Sequence, residues 1–123
     1  MQPSYIGPTG RQLYAAYHPP VEFGGNSSRS VLICPPIGDE YLAFHWSIVR
    51  LARYLQRQGF HVLRFDYYGT GDSAGEFRET SVDEWLEDIR VSAQELRDMS
   101  GNQTLELIGF RFGALLAATL LNS

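Results

Sequence analysis

A chain of 123 residues suits one small domain, and an apolar share of 44% is ordinary for a protein that buries a core. Fourteen acidic residues against ten Lys and Arg leave a net charge of −4, which argues against a nucleic-acid partner or an anionic-membrane surface. The single cysteine, Cys34, rules out an internal disulfide, and no run approaches the ~18 apolar residues of a membrane span. The N-terminus has no basic region followed by an apolar run, so no secretory signal is read and a cytoplasmic location is expected.

In chain order, residues 1 to 10 carry Pro3, Gly7, Pro8 and Gly10 and read as an irregular lead-in. Arg11 to His18 reads as a strand that Pro19 and Pro20 stop, and Gly24 to Ser28 reads as a surface turn. Residues 1–28 are thus expected to form an antiparallel hairpin region at the edge of a sheet. Ser30 to Cys34, β-branched and apolar, is a central strand. From Tyr41 to Gln58, Phe44, Ile48, Leu51, Ala52 and Leu55 repeat with helical period, and Gly59 is a natural stop. Phe60 to Asp66 is the next strand, followed by the glycine-rich loop Tyr67 to Ser73.

Ser81 and Glu84 have the spacing of a capping box. The helix they open is expected to reach about Met99, with Val82, Trp85, Leu86, Ile89, Ala93 and Leu96 on one face. Thr104 to Ile108 is a buried strand, Gly109 to Gly113 a tight turn, and Ala114 to Leu121 a helix apolar enough to be buried nearly all round. Phe44, Trp46 and Trp85 read as packing aromatics. Residues 29–123 therefore form a βαβαβα core, and 1–123 one α/β domain, a three-layer αβα sandwich with a mostly parallel sheet. Its ligand crevice is expected where three loops meet at the carboxyl ends of the strands: Pro35 to Glu40, Tyr67 to Ser73 and Phe110 to Gly113. Gly69-x-Gly71-x-x-Ala74 nominally matches a dinucleotide fingerprint, but the next helix begins only near Ser81, so no dinucleotide is expected. His18, His45 and His61 lack metal-ligand spacing, so neither a metal nor another cofactor is expected.

Gly-Phe-Arg-Phe-Gly at 109–113 resembles the Gly-x-Ser-x-Gly nucleophile elbow of α/β-hydrolases. Asp66-Tyr67-Tyr68-Gly69-Thr70-Gly71-Asp72-Ser73 resembles a segment common in the esterase, thioesterase and serine-aminopeptidase branches. Cys34 to Glu40 stands where that superfamily places the loop donating an oxyanion-hole amide. More narrowly, the sequence is similar to hydrolases associated with exosortase and exopolysaccharide systems. The resemblance implies an incomplete α/β-hydrolase fold, its N-terminal portion, acting as hydrolase or acyl transferase on an ester, thioester or amide. It places Ile37, Gly38 and Phe112 at the oxyanion or anion-binding site and Gly109 and Gly113 as the elbow glycines. Asp39, Asp66, Gly69, Gly71, Asp72 and Ser73 hold the surrounding loops.

Arg111 occupies the nucleophile position and cannot do its work, because a guanidinium stays protonated and offers no lone pair. The last histidine is His61 and no acid follows Arg111, so the triad's acid and His are not in these residues. A cation just before a helix N-terminus calls for a compensating anion. Two readings stay open: a fixed salt bridge to Asp39, Asp66 or Asp72, or a pocket for a carboxylate or phosphate, making the protein a non-catalytic scaffold for an anionic ligand or a partner. The strand Thr104 to Ile108 would end the sheet with an apolar edge, expected to pair with a C-terminal half or with a second copy.

Overall fold

The computed structural model describes residues 1–21, 29–38, 40–75 and 80–121. The Gly24 to Ser28 turn and Asp39 lie outside them. Five strands form one sheet in the order β1-β2-β4-β3-β5: β1 (Gln2–Ile6), β2 (Leu13–His18), β3 (Ser30–Cys34), β4 (His61–Phe65) and β5 (Glu106–Gly109). β3 pairs in parallel with β4 and β5, Cys34 opposite Gly109, while β1–β2 and β2–β4 are antiparallel. Only β2 therefore opposes the common strand direction.

Helix α1 (Glu40–Arg57) covers one face, where Ile48 and Ala52 pack on Val31, Ile33 and Val62. Helices α2 (Val82–Ser100) and α3 (Phe112–Leu121) cover the other, where Ile89, Leu96, Leu116 and Ala117 pack on Leu13, Leu32, Leu63 and Phe65. This is the α/β-hydrolase arrangement of layers. Local chemistry sets the helix ends. Gly59 closes α1 in the left-handed region, with its own N–H reaching Gln56 O and Phe60 N–H reaching Leu55 O, which satisfies two orphan carbonyls. Ser81 caps α2 by accepting Glu84 N–H, and Gly101, also left-handed, returns its N–H to Arg97 O. The Glu84 carboxylate turns instead to Arg11, 3.3 Å away.

The structure corrects four expectations. Residues 2–6 are not irregular: they form β1, registered from Gln2 opposite Tyr17 to Ile6 opposite Leu13. Pro3 is tolerated because β1 is an edge strand. The hairpin turn accordingly falls between Ile6 and Leu13. Helix α3 is not buried all round: Leu115 is 59% exposed and Leu121 73%, because α2 and β5 shield only its Gly113–Leu116–Ala117 side. Trp46, 64% exposed, stands two residues and ~200° of helix away from the inward-facing Phe44. Val82, the first residue of α2, is 46% exposed.

β5 is the sheet edge, with Leu107 and Ile108 half-buried. Beside it runs a groove of about 430 Å³ between α2, β5 and α3, with Arg90 and Arg97 among its lining residues. No helix of the described residues is long and apolar enough to cross a membrane.

Candidate functional site

Parallel pairing of β4, β3 and β5 brings the three expected loops to one end of the sheet, with the elbow against the end of β3. Phe110 N–H donates to Cys34 O at 3.0 Å. A Cβ on Gly113 would overlap the carbonyl oxygens of Cys34 and Pro35, and one on Gly109 would overlap the Ala114 backbone. The two glycines let α3 start directly against the β3 and β5 backbones, and no side chain fits at either place.

Between them Arg111 has φ +57, the only left-handed non-glycine among the described residues. That conformation costs an L-residue about 1–2 kcal/mol. It turns the side chain outward, 64% exposed. The elbow thus keeps its strained backbone while presenting a guanidinium in place of a hydroxyl.

The anion that balances Arg111 is Glu40, not Asp66 or Asp72. Its carboxylate accepts Arg111 Nε–H at 2.6 Å. Glu40 stands in the first turn of α1, where the helix dipole also favours its charge. The guanidinium lies 5.7 Å from the centre of the Phe44 ring. Its Nη1 and Nη2 atoms have no partner among the described residues, so the outer fork of the guanidinium is open. The flanking residues continue two aromatic pairs: Phe110 with Phe44 on the α1 side, centroids 5.9 Å apart, and Phe112 with Trp85 on the α2 side, 6.0 Å apart and edge-on.

Ile37 is half-buried against the core, Gly38 is exposed with φ +72, and Gly38 O accepts Tyr41 N–H. Phe112 opens α3, so its N–H has no intrahelical acceptor. Phe112 adjoins Arg111 in the chain, and Ile37 and Gly38 follow β3, whose Cys34 O accepts the Phe110 N–H.

The loop after β4 is tied down from within. Asp66, 6% exposed, accepts Asp72 N–H at 2.9 Å and the Tyr41 hydroxyl. Burial raises its pKa, an effect those two hydrogen bonds oppose. Gly71, at φ +48, leaves the space: a Cβ there would overlap Asp66 Oδ2 and the Tyr41 hydroxyl. Ser73 Oγ donates to Asp66 O and accepts Tyr14 N–H, and Gly69 N–H donates to Ala74 O. The Asp72 side chain is exposed with its residue.

Beneath this loop lies a residue that the sequence reading missed. Asp88, fully buried on α2, accepts Tyr68 N–H at 2.9 Å and Arg11 Nη1–H at 2.5 Å, and Arg11 stacks 4.6 Å over the Tyr68 ring. Burial raises the Asp88 pKa, opposed by the Tyr68 N–H and Arg11. Its signal was a polar residue inside the Trp85–Ile89–Ser92–Ala93–Leu96 stripe, which needs a buried partner. Glu40 carried no such signal.

Among the described residues, Cys34, His18 and His61 offer no replacement at the elbow for the serine and histidine, and the His45 ring, on α1, lies against Tyr41 with centroids 5.7 Å apart. Cys34 is buried, and burial pushes its thiol up to about 12, leaving it protonated at neutral pH. His18, opposite Val62, and His61, the first residue of β4, lie at the other end of the sheet. His18 Nε2 accepts Arg64 Nε–H, and the Tyr17 hydroxyl meets His61 Nδ1 at 2.6 Å. Among the described residues no three His, Cys, Asp or Glu side chains gather to hold a metal.

Three comparisons bear on this geometry. No curated protein matches the chain. Among solved structures it is similar to XC6422 of Xanthomonas campestris, an α/β serine hydrolase without a lid: 30% identity over 99% of this chain and 58% of that one, TM-score 0.75. It is also similar to an α/β serine hydrolase homologue from Coxiella burnetii: 25% identity, 98% and 57% coverage, TM-score 0.77. An esterase from Pyrococcus furiosus, at 23% identity, 98% and 45% coverage and a TM-score of 0.73, shares the fold. The chain thus spans somewhat more than half the length of the first two. A family model for the serine aminopeptidases, S33, matches residues 26–123. With that match over most of the chain, and with the elbow, the β3 loop and the layers in place, the chain belongs to the S33 serine aminopeptidase family of α/β hydrolases.

Proposed function

We propose that the crevice binds an anionic ligand, of the carboxylate class, and that Arg111 anchors it. The observation that carries this reading is the backbone at position 111. The chain sustains a left-handed, strained residue at the apex of the elbow and uses it to hold out a guanidinium whose fork has no partner among the described residues. Arginine with two parallel donors matches a carboxylate bidentately, and the neighbouring N–H of Phe112 adds a third donor. On this reading the protein is a non-catalytic α/β-hydrolase scaffold. Its setting in an exosortase or exopolysaccharide system rests on the sequence similarity alone. The bare β5 edge is where pairing with a second copy, or with the polypeptide corresponding to the rest of the relatives, is expected.

Titration of the chain with simple carboxylates, followed by calorimetry and melting temperature, tests the reading. Binding should appear in the wild type and vanish in Arg111→Ser. No binding in either protein overturns it.

A second reading keeps the reaction of the family: hydrolysis or acyl transfer on an ester, thioester or amide. What favours it is the preserved strain and the glycine-tight contact of elbow and β3 loop, which is the geometry that positions an oxyanion hole. Its nucleophile, base and acid would have to come from outside these residues. Turnover of a p-nitrophenyl ester by the wild-type chain above the buffer rate would favour it over the binding reading.

A further inference from the structure

We infer that the outer face of α1 is a docking surface for an acidic segment of a partner protein. This surface is separate from the elbow. Leu42, Trp46, Arg50, Arg53, Tyr54 and Arg57 all lie on α1. At 3.6 residues per turn they share an arc of about 120°, opposite the side on which Ile48 and Ala52 pack against the sheet. The stripe therefore points straight away from the sheet, where a helix laid alongside α1 would not cover it. All six residues are exposed, Leu42 by 78%, Trp46 by 64% and Tyr54 by 54%.

Charge says what kind of partner fits. Helix α1 has no Asp or Glu after Glu40, and Glu40 is taken by Arg111. Arg50 and Arg53, and then Arg53 and Arg57, stand one helical turn apart, a spacing at which like charges repel. Among the described residues none of the three guanidinium groups has a hydrogen-bond or ion-pair partner. On α2, by contrast, Arg90 meets Glu87 and Arg97 donates to Gln103 O. A chain of net charge −4 thus gathers uncompensated positive charge on one helix face. A partner's carboxylates relieve that repulsion and match the guanidinium forks. Trp, Tyr and Arg are also the side chains that carry most of the energy at protein interfaces. The His45 ring meets Trp46 edge-on, centroids 5.2 Å apart, which limits the freedom the indole would lose on binding.

The order along the stripe narrows the partner further. Leu42 and Trp46 come first, and the arginines follow from 50 to 57. The whole run is about 22 Å long at 1.5 Å per residue. The matching segment is apolar at one end and carries Asp or Glu over the rest. A nucleic-acid strand or an anionic bilayer presents charge throughout and is repelled by the rest of this acidic chain, so a protein segment fits the stripe better.

The experiment is fluorescence anisotropy of a labelled helical peptide of about 15 residues, the length of the stripe, rich in Glu over its first two-thirds and in Leu over its last third. It is titrated with the 123-residue chain. The comparison probes are a scrambled peptide of the same composition, oligothymidylate, and vesicles of phosphatidylcholine with phosphatidylglycerol. The patterned peptide should bind about tenfold more tightly than the scrambled one. Trp46→Ala, and separately the double variant Arg53→Gln, Arg57→Gln, should each weaken it about tenfold. Both variants should keep the wild-type melting temperature, because the side chains removed are exposed. No binding of the patterned peptide, or equal binding of the scrambled one, overturns the inference. Tighter binding of oligothymidylate or vesicles overturns the choice of a protein partner. Affinity that survives both variants, or that is lost in Arg111→Ser instead, places the peptide elsewhere and overturns the assignment to α1. None of these outcomes touches the carboxylate titrations of the elbow.

Discussion

Two arginines on this chain each meet a carboxylate, and they live in different electrostatic worlds. Arg11 reaches into the protein to Asp88, which is 0% exposed, and on the way stacks over Tyr68. Arg111 reaches outward to Glu40, with 64% and 43% of the two side chains exposed. Asp88 has no water to fall back on, so removing Arg11 leaves a buried carboxylate uncompensated, while removing Asp88 leaves Arg11, 26% exposed, with Glu84 alone. The second is screened by water and salt, so its partners exchange freely. Burial, not the pairing itself, separates a tie that holds a loop in place from an exposed pair that water screens.

The largest test of that contrast is Asp88→Ala. It orphans the Tyr68 N–H beneath the crevice loop, leaves Arg11 with Glu84 alone, and should cost about 3 kcal/mol. Urea denaturation would show the midpoint fall with the slope unchanged. The contrast sharpens in the double variant Arg11→Met, Asp88→Leu, which should regain most of the loss because an apolar pair fills the same space without desolvating charge. If the double variant is no better than the single one, the site is held by shape rather than by paired charge. Gly71→Ala comes next, at about 2 kcal/mol, since it strains φ +48 and forces Asp66 and Tyr41 apart. Its melting temperature should fall while the secondary structure measured by circular dichroism stays.

Burial also predicts a pH response away from the crevice. His18 is 1% exposed, and burial, reinforced by the Arg64 charge, lowers its pKa to about 4. Between the ordinary value of 6.5 and about 4 the unfolded chain takes up a proton that the folded one refuses, so stability is full above that window and falls with pH inside it. From pH 7 to pH 5 the loss should be about 1–2 kcal/mol. His18→Gln keeps an acceptor for Arg64 and should flatten the slope. A slope of the same size in His18→Gln would assign the response to other groups.

These contrasts also show which parts of the molecule were legible beforehand. Helix α2 was, because the Ser81 side chain, the Glu84 N–H and Gly101 act within one turn of themselves, although the Glu84 carboxylate, expected to close the capping box, goes to Arg11 instead. The elbow was, because two glycines four residues apart between an apolar strand and an apolar helix leave little other geometry. β1 was not: Pro3, Gly7 and Pro8 argue against a strand locally, and only the pairing with β2 overrides them. Glu40 was not legible as the partner of Arg111, because 71 residues separate them and Asp39, Asp66 and Asp72 offered equally plausible charges. The exposed side of α3 was misread because composition gives the helix its apolarity but not what covers it.

The smallest predicted effect on stability falls on the residue of greatest functional interest. Arg111→Ala keeps the left-handed backbone and loses only the exposed pair with Glu40, a loss of at most about 1 kcal/mol. The difference from wild type should shrink further in 0.5 M NaCl, where the Debye length falls to about 4–5 Å. Arg111→Gly loses the same pair but relieves the strain at φ +57, worth about 1–2 kcal/mol, so it should match or exceed the wild type in denaturation midpoint. If Arg111→Gly proves more stable, the arginine is kept at a cost to folding, and its guanidinium is held at the elbow for what it binds. A loss of 3 kcal/mol or more in Arg111→Ala would put the Arg111–Glu40 pair in the same class as Arg11–Asp88. The crevice would then be closed by its own ion pair rather than held open for a ligand.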